Sequence, residues 1–188
     1  MDLTAPIRVS VGSEPVSLGL MKEHCRIDSG DEDVVLNHYI TAAREWFETA
    51  LNRTIANTTW KAFLPWFPDV FVLPYPPLLT VSHLKYLDTN NVQQTLSSAT
   101  YVVATGRTPG EVMLADGELW PESYTHPQAI EIQWTAGQTT VPSRITQGIL
   151  LLAGHWYENR ESVLVGVTGS EVPQAVEAII STARVLRF

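Results

Sequence analysis

The stretch Val141-Pro-Ser-Arg-Ile-Thr-Gln-Gly-Ile-Leu-Leu-Leu-Ala-Gly-His-Trp-Tyr-Glu-Asn-Arg-Glu161 reads one way only, as a helix. Pro142 brings a pre-set φ and a missing donor, which suits the first helical position. Ile145, Ile149, Leu152, Ala153 and Trp156 recur at spacings of three and four and form one apolar stripe. Leu150 and Leu151 fall outside it, so the helix is apolar on more than one side and is expected to be packed on by several neighbours. Gly148 and Gly154 each cost about 1 kcal/mol against Ala inside a helix, which points to a close approach at both positions.

Two helices precede it. Ser17 is placed to cap a helix running to about Ile27, with Val16 and Met21 as a hydrophobic staple and Leu20 and Met21 facing inward. Ser29 and Glu32 have capping-box spacing, and Asp31, Glu32 and Asp33 add negative charge at the start of a second helix. Its inward stripe is Leu36, Tyr39, Ile40, Ala43, Phe47, Ala50 and Leu51, ending near Asn52. The acidic cluster does not have the spacing of an EF-hand calcium loop. Residues 1–15, with Pro6, Gly12 and Pro15, read as an arm with little regular structure.

From Thr58 to Gly137 the texture changes to β-branched and aromatic runs broken by Pro, Gly and Asn. Strands are expected at 58–64, 70–73, 81–87, 92–96, 101–104, 111–114 and 129–135. The last is clearest, because Ile130, Ile132 and Trp134 alternate with Glu131, Gln133 and Thr135. Asp88-Thr-Asn-Asn91 reads as a hairpin turn, and Pro74, Pro76 and Pro77 keep their segment out of a central strand. Beyond the long helix, residues 162–172 form a loop, and Pro173 opens a last helix with Val176, Ile179, Ile180 and Ala183 on one face. The expected fold is α+β: a bundle of about four helices with a β-rich insertion between the second and third. One domain is expected, comprising the arm 1–15, helices over 16–57, the insertion 58–137, the long helix 141–161, the loop 162–172 and the C-terminal helix and tail 173–188.

Composition limits the function classes. The chain has 188 residues, 45% of them hydrophobic, and a formal net charge of −8. That charge argues against wrapping a phosphate backbone, whose non-specific affinity comes from Lys and Arg. It is compatible with a surface past which DNA slides without sticking. The single Cys25 allows no internal disulfide and suits a reducing compartment or a particle assembled inside a cell. No apolar run approaches the roughly 20 residues of a membrane span, and no basic-then-apolar leader opens the sequence.

Catalytic and metal-binding frames are missing: no His-Glu-x-x-His, Cys-x-x-Cys, Gly-x-Ser-x-Gly, Walker loop or Gly-x-Gly-x-x-Gly occurs. His155 and Glu158 share a helix face, and a metal site would need a third group such as His24 or His38; local packing of His155 and Trp156 is favoured, so no catalytic residue, metal or cofactor is assigned. Cys25 follows His24, but adjacent helical residues point about 100° apart, so a structural thiol is expected rather than a nucleophile. The six tryptophans lack a basic stripe beside them and are assigned to core or interface packing.

Two segments suggest interfaces. The loop residues Val163, Leu164, Val165 and Val167 are apolar and punctuated by Gly166 and Gly169, and are expected to be covered by another chain. The end of the chain carries Arg184, Leu186, Arg187 and Phe188, with guanidinium and aromatic groups enriched in protein interfaces.

Several runs taken together resemble a known family: Val16-Ser-Leu-Gly-Leu-Met-Lys-Glu-His-Cys-Arg-Ile-Asp28, Asp31-Glu-Asp33 with Ala42-Ala-Arg-Glu45, Leu73-Pro-Tyr-Pro-Pro-Leu78, Trp134-Thr-Ala-Gly137, Val141-Pro142 and Ala153-Gly-His-Trp-Tyr-Glu-Asn-Arg160. In order and spacing, over roughly residues 16–187, they resemble the head-tail connector (adaptor) proteins of long-tailed bacteriophages and prophages. The resemblance implies a helical bundle with a β insertion and a structural virion protein, not an enzyme. It implies a homo-oligomeric ring, typically of twelve subunits, that docks beneath the portal protein at the head-tail junction after DNA packaging. The ring would continue the DNA channel toward a further connector, stopper or tail protein, with DNA passing through unbound. Assembly would take place in the host cytoplasm. The segment from Ala183 to Phe188, with Arg184, Leu186, Arg187 and Phe188, would attach to the portal, and the loop with Val163, Leu164, Val165 and Val167 would meet the neighbouring subunit. The alternatives are a tail terminator or completion protein and, from another class, a virion-associated hydrolase using His155 and Glu158.

Overall fold

A computed structural model of the chain describes residues 5–159 and 173–183. Its elements are β1 (Ile7–Val11), α1 (Leu18–Cys25), α2 (Asp33–Leu51), β2 (Thr58–Leu64), β3 (Val70–Leu73), β4 (Leu78–Leu87), β5 (Gln93–Thr95), β6 (Tyr101–Ala104), β7 (Gly110–Leu114), β8 (Ile130–Ala136), α3 (Ser143–Glu158) and α4 (Gln174–Ala183). The fold is α+β, with the strand-rich segment between the second and third helices as expected. The chain divides into a β unit, running up to Gly12 and from Ala56 to Gln138, and a helical unit, Ser13–Ile55 and onward from Thr139.

In the helical unit, α3 packs on α2, α1 touches both, and α4 lies against α3 and α2. The core between them holds Met21, Leu36, Ile40, Phe47, Leu51, Ile145, Ile149, Leu152 and Val176, each at most 1% exposed. α3 is buried on more than one side, since Leu150 joins the stripe in the core at 5% exposure. Both of its glycines are sites of close approach: a Cβ on Gly148 would lie 2.5 Å from Phe47 Cζ, and one on Gly154 would lie 3.2 Å from the His24 ring. The two helices meet at Gly148 at a distance that any side chain would obstruct.

The Ser17 cap and the staple are present. Ser17 Oγ accepts the Leu20 N–H at 3.2 Å, and Val16 and Met21 are buried. Leu20, expected to face inward, is 39% exposed instead, because it lies one residue before Met21 and therefore about 100° around the helix. The Ser29/Glu32 capping box does not form. α2 begins at Asp33, and Glu32 stands at its N-cap position without a side-chain cap bond. Tertiary partners compete for these carboxylates: Glu32 accepts from the Tyr157 hydroxyl, and Asp33 accepts from Lys22 Nζ at 2.8 Å. Pro142 occupies the N-cap of α3, one residue before the helical position expected for it, with ψ at 136°, and its carbonyl accepts the Ile145 N–H.

The β unit holds an antiparallel five-stranded sheet in the order β1-β2-β8-β4-β5 and an antiparallel three-stranded sheet in the order β3-β7-β6. β8 is central and alternates as expected, with Ile130, Ile132, Trp134 and Ala136 buried. Trp134 stands directly opposite Trp60 of β2, and Ile132 opposite Ala62. β4 starts at Leu78, earlier than the expected Val81, and two irregularities in its register against β8 absorb the extra length. The Asp88–Asn91 turn closes as expected, with Asn91 at φ 62° and the Asp88 carboxylate accepting the N–H groups of Asn90 and Val92.

The N-terminal segment, expected to lack regular structure, contains β1. It pairs with β2 from Ile7↔Lys61 to Val11↔Thr58, with an irregularity between Arg8 and Ser10. Its five residues alternate, Ile7, Val9 and Val11 with Arg8 and Ser10, but all are exposed and the run is short and bounded by Pro6 and Gly12. Gly137 ends β8 at φ 142°, and a Cβ there would lie 2.7 Å from Asn57 Cα, so both backbone conformation and space select glycine.

The two α3 glycines are expected to respond unequally to a methyl group. Gly148→Ala should lower unfolding free energy by about 1–3 kcal/mol, because overpacking against Phe47 exceeds the gain in helix propensity. Gly154→Ala should stay within about 1 kcal/mol of the parent, since the His24 ring is a side chain that can yield. Urea unfolding of both variants checks the contrast.

Candidate interaction surfaces and buried charge

The most tightly organised polar feature is Arg44 of α2, which is 1% exposed. Its Nε donates to Glu14 Oε2 at 2.8 Å, its Nη1 donates to Glu48 Oε2 at 2.6 Å, and Glu45 lies 3.6 Å from Nη2. The carboxylates are themselves held: Glu14 accepts from the Thr41 hydroxyl at 3.0 Å, and Glu48 Oε1 accepts the Ile55 N–H at 2.8 Å. Burial by itself would pull the guanidinium down, but the hydrogen bond to Glu14 and the charges of Glu48, Glu14 and Glu45 outweigh it and hold Arg44 above its ordinary value. Arg44 therefore stays charged at any working pH and holds Glu14 directly and Ile55 through Glu48, residues close to two of the three points where the chain passes between the units. Only a planar, multi-donor cation fits three carboxylates in this way. In the sequence Arg44 stands out only as one polar position among several on α2.

Elsewhere in this unit the cations Arg53 and Arg144 are neighbours, and burial followed by the charge of Arg144 pulls Arg53 below its ordinary value. His155 Nδ1 lies 3.3 Å from Asn159 Nδ2, and the His155 carbonyl accepts the Asn159 N–H and side-chain amide. This is the local bonding expected of it. Among the described residues no group of three or more His, Cys, Asp and Glu side chains is arranged to hold a metal. Cys25 is half-buried; burial, then the charge of Glu158, push its thiol up, the opposite of what a nucleophilic cysteine needs.

In the β unit, Trp134 is fully buried and Trp60, 8% exposed, stacks on Tyr75 with ring centroids 4.5 Å apart. Trp120 stacks on Phe67 at 4.9 Å and meets Phe71 edge-on at 5.7 Å. These rings are core, as expected, and not a base-stacking platform. Trp66 differs: it is 55% exposed and borders a groove of about 350 Å³ lined also by Phe67, Pro68, Asp69 and Val70. The groove runs onto the three-stranded sheet. One face of that sheet buries Phe71, Leu73 and Val112, whereas the other places Val70, Met113 and Val102 in one row across the strands and Val72, Glu111 and Ala104 in the next. Val70, Val72 and Val102 are exposed. Glu111, the charged member of these rows, pairs with Arg107. The exposed face is thus apolar where an ordinary two-layer arrangement would be polar. Alternating apolar residues also line the exposed edge strand β1, at Ile7, Val9 and Val11.

The residues expected to bind a portal, Arg184, Leu186, Arg187 and Phe188, and the loop residues Val163, Leu164, Val165 and Val167 lie outside the described residues. Sequence reading missed the valine face of the three-stranded sheet. The signal was present in Val70-Phe-Val-Leu73 and Tyr101-Val-Val-Ala104, which are apolar at consecutive positions instead of alternating.

Residues 16–107 match the family model described as "Phage gp6-like head-tail connector protein". No curated protein matches the chain. Among solved structures, the chain is similar to one from "Neck of empty GTA particle computed with C6 symmetry", with TM-score 0.77, 23% identity and coverage of 98% of this chain and 97% of that one. It is similar to one from "Virion of native gene transfer agent (GTA) particle", at TM-score 0.76, 23% identity, and 98% and 97% coverage. A third, from "Neck of native GTA particle computed with C12 symmetry", has TM-score 0.73 and 23% identity and covers 100% and 97%. At that identity the likeness establishes the fold, and it spans both units.

Arg44→Met should destabilise the protein by about 3 kcal/mol, because Glu14 and Glu48 lose their counter-charge. Arg44→Lys should recover only part, since one ammonium cannot satisfy three carboxylates. Thermal unfolding of both variants reads the difference. For Cys25, alkylation by iodoacetamide at pH 8 should be slower than that of an exposed cysteine, and Glu158→Gln should speed it by removing the smaller of the two causes. Equal rates with and without Glu158 would contradict the electrostatic part.

Proposed function

We propose, from the match of residues 16–107 to the phage gp6-like head-tail connector model, that the protein is a structural component of a virion neck, a ring of identical subunits joining a DNA-filled head to a tail. The family match carries this reading. The fold likeness to chains of neck particles with sixfold and twelvefold symmetry supports it, because such particles repeat one chain around an axis. A ring of twelve copies beneath a portal protein is the expected form, continuing the channel toward a further connector, stopper or tail protein.

The physical properties agree with such a role. Ring closure needs heterologous contacts, in which one patch of a subunit meets a different patch of its neighbour. The β unit offers exposed apolar surfaces, and the helical unit offers a body pinned by Arg44. A net charge of −8 favours free passage of DNA through a channel over counterion-releasing attachment. In this reading the segment from Ala183 to Phe188, including Arg184, Leu186, Arg187 and Phe188, attaches to the portal, and the loop bearing Val163, Leu164, Val165 and Val167 meets a neighbouring subunit. The protein assembles in the host cytoplasm and ends in the virion at the head-tail junction. Its role is positional, and no chemical step is assigned to it.

The test is solution mass by light scattering across concentration, with and without purified portal protein, for the full chain and for a truncation after Ala183. A large ring, formed alone or on addition of portal, is expected, and the truncation should lose portal attachment. A mass that stays monomeric or dimeric in every condition would overturn the reading. Binding to a tail tube and not to portal would move the protein to the tail end, as a terminator or completion factor.

A further inference from the structure

The three-stranded sheet exposes an apolar outer face whose position within the β unit is well defined. Val70 and Val102 flank Met113 in one cross-strand row, and Val72 lies in the next. The three valines are 39%, 51% and 49% exposed, in the order Val70, Val102 and Val72. Beneath them the opposite face is closed by Phe71, Leu73 and Val112, so the outer side chains are not core residues left partly open; they form a second apolar surface. At its margin stands Trp66, 55% exposed and edging the groove that continues from Val70. The Phe67–Trp120–Phe71 cluster holds the floor beside it. An exposed tryptophan next to a groove and an apolar surface is the composition of an interface centre.

The charge of the patch selects among occupants. DNA would need converging cations, and among the described residues the sheet face has only Arg107, already engaged by Glu111. A second copy of this chain carries the same net charge of −8, so identical subunits repel each other except where they meet on uncharged surface. On the sheet face itself Glu111 is neutralised by Arg107, which comes near that requirement, and the exposed Asp69 is confined to the groove at its margin. We propose that the outer face of the β3-β7-β6 sheet, with Trp66, is covered by a neighbouring copy of the same chain and is one half of the contact that closes the ring; this rests on the ring reading above. Contact of the face with itself would be isologous and would close a pair, so the neighbour meets it with a different surface.

The experiment compares the unmodified protein, Val72→Glu/Val102→Glu and Leu119→Glu by sedimentation velocity, alone and with portal protein. Both substituted valines and Leu119 are exposed, so the monomers should fold, which circular dichroism verifies. The unmodified protein and Leu119→Glu should form rings over the same concentration range, and the double variant should require at least about tenfold more protein or fail to assemble. In parallel, the thiol introduced by Val72→Cys should be alkylated rapidly in the monomer and be protected in the ring, with the half-buried Cys25 as an internal reference. Ring formation by the unmodified protein with an unaffected double variant, or with the introduced thiol still freely alkylated in the ring, would overturn the surface assignment alone. Failure of the unmodified protein to assemble in any condition would remove the ring reading and this inference together.

Discussion

A buried guanidinium among three carboxylates is the constraint on which the helical unit depends. Arg44 cannot be left alone at 1% exposure, because an unpaired charge in a core costs several kcal/mol. Glu14 and Glu48 answer it at 2.8 and 2.6 Å, and Glu48 extends the network to the Ile55 backbone. The arrangement is less a source of net stability than a demand for one register. Moving the chain by one residue at Glu14 or along α2 would leave a charge unpaired, whereas the apolar contacts around Phe47 and Ile149 tolerate small shifts.

The apolar contacts have one sharp point of their own. At Gly148 the helix backbone approaches the Phe47 ring so closely that a Cβ would lie 2.5 Å away. Directional ion pairing on one part of α2 and steric exclusion on another thus act on the same helix. Close approach at both positions explains why a strongly apolar helix such as α3 contains two glycines despite their unfavourable propensity.

Much of this was legible in the residues. β2, β3 and β6 have the expected bounds because β-branched and aromatic runs bounded by Pro, Gly or Asn act locally. α1 ends one turn past its staple, where Arg26 adopts a left-handed φ of 58°. What escaped the sequence was decided by tertiary partners. The Ser29/Glu32 box lost its glutamate to Tyr157, which is 125 positions away. β1 alternates apolar and polar residues, but as a short exposed run between Pro6 and Gly12 it becomes a strand because β2 offers it a ladder. The significance of Arg44 required knowing that Glu14 folds back onto it. The valine face of the small sheet was written in consecutive apolar residues, but two-sided apolarity reads as deep burial until the topology reveals that one side faces outward.

The order of strands in the larger sheet has a bearing on synthesis. β8 lies between β2 and β4, yet it follows both in sequence, with Thr58 pairing with Ala136 and Leu84 with Ile132. Until the ribosome has released β8, two long strands wait with open hydrogen-bonding edges, and α1 and α2 wait for α3. Both cores therefore wait on one stretch, from Ile130 to Glu158, which follows most of their other members in the chain, and Val176 of α4 joins the helical core later still. A nascent chain of this kind depends on being shielded from its siblings on the same messenger until that stretch emerges, since an open strand edge will accept a neighbour's strand as readily as its own.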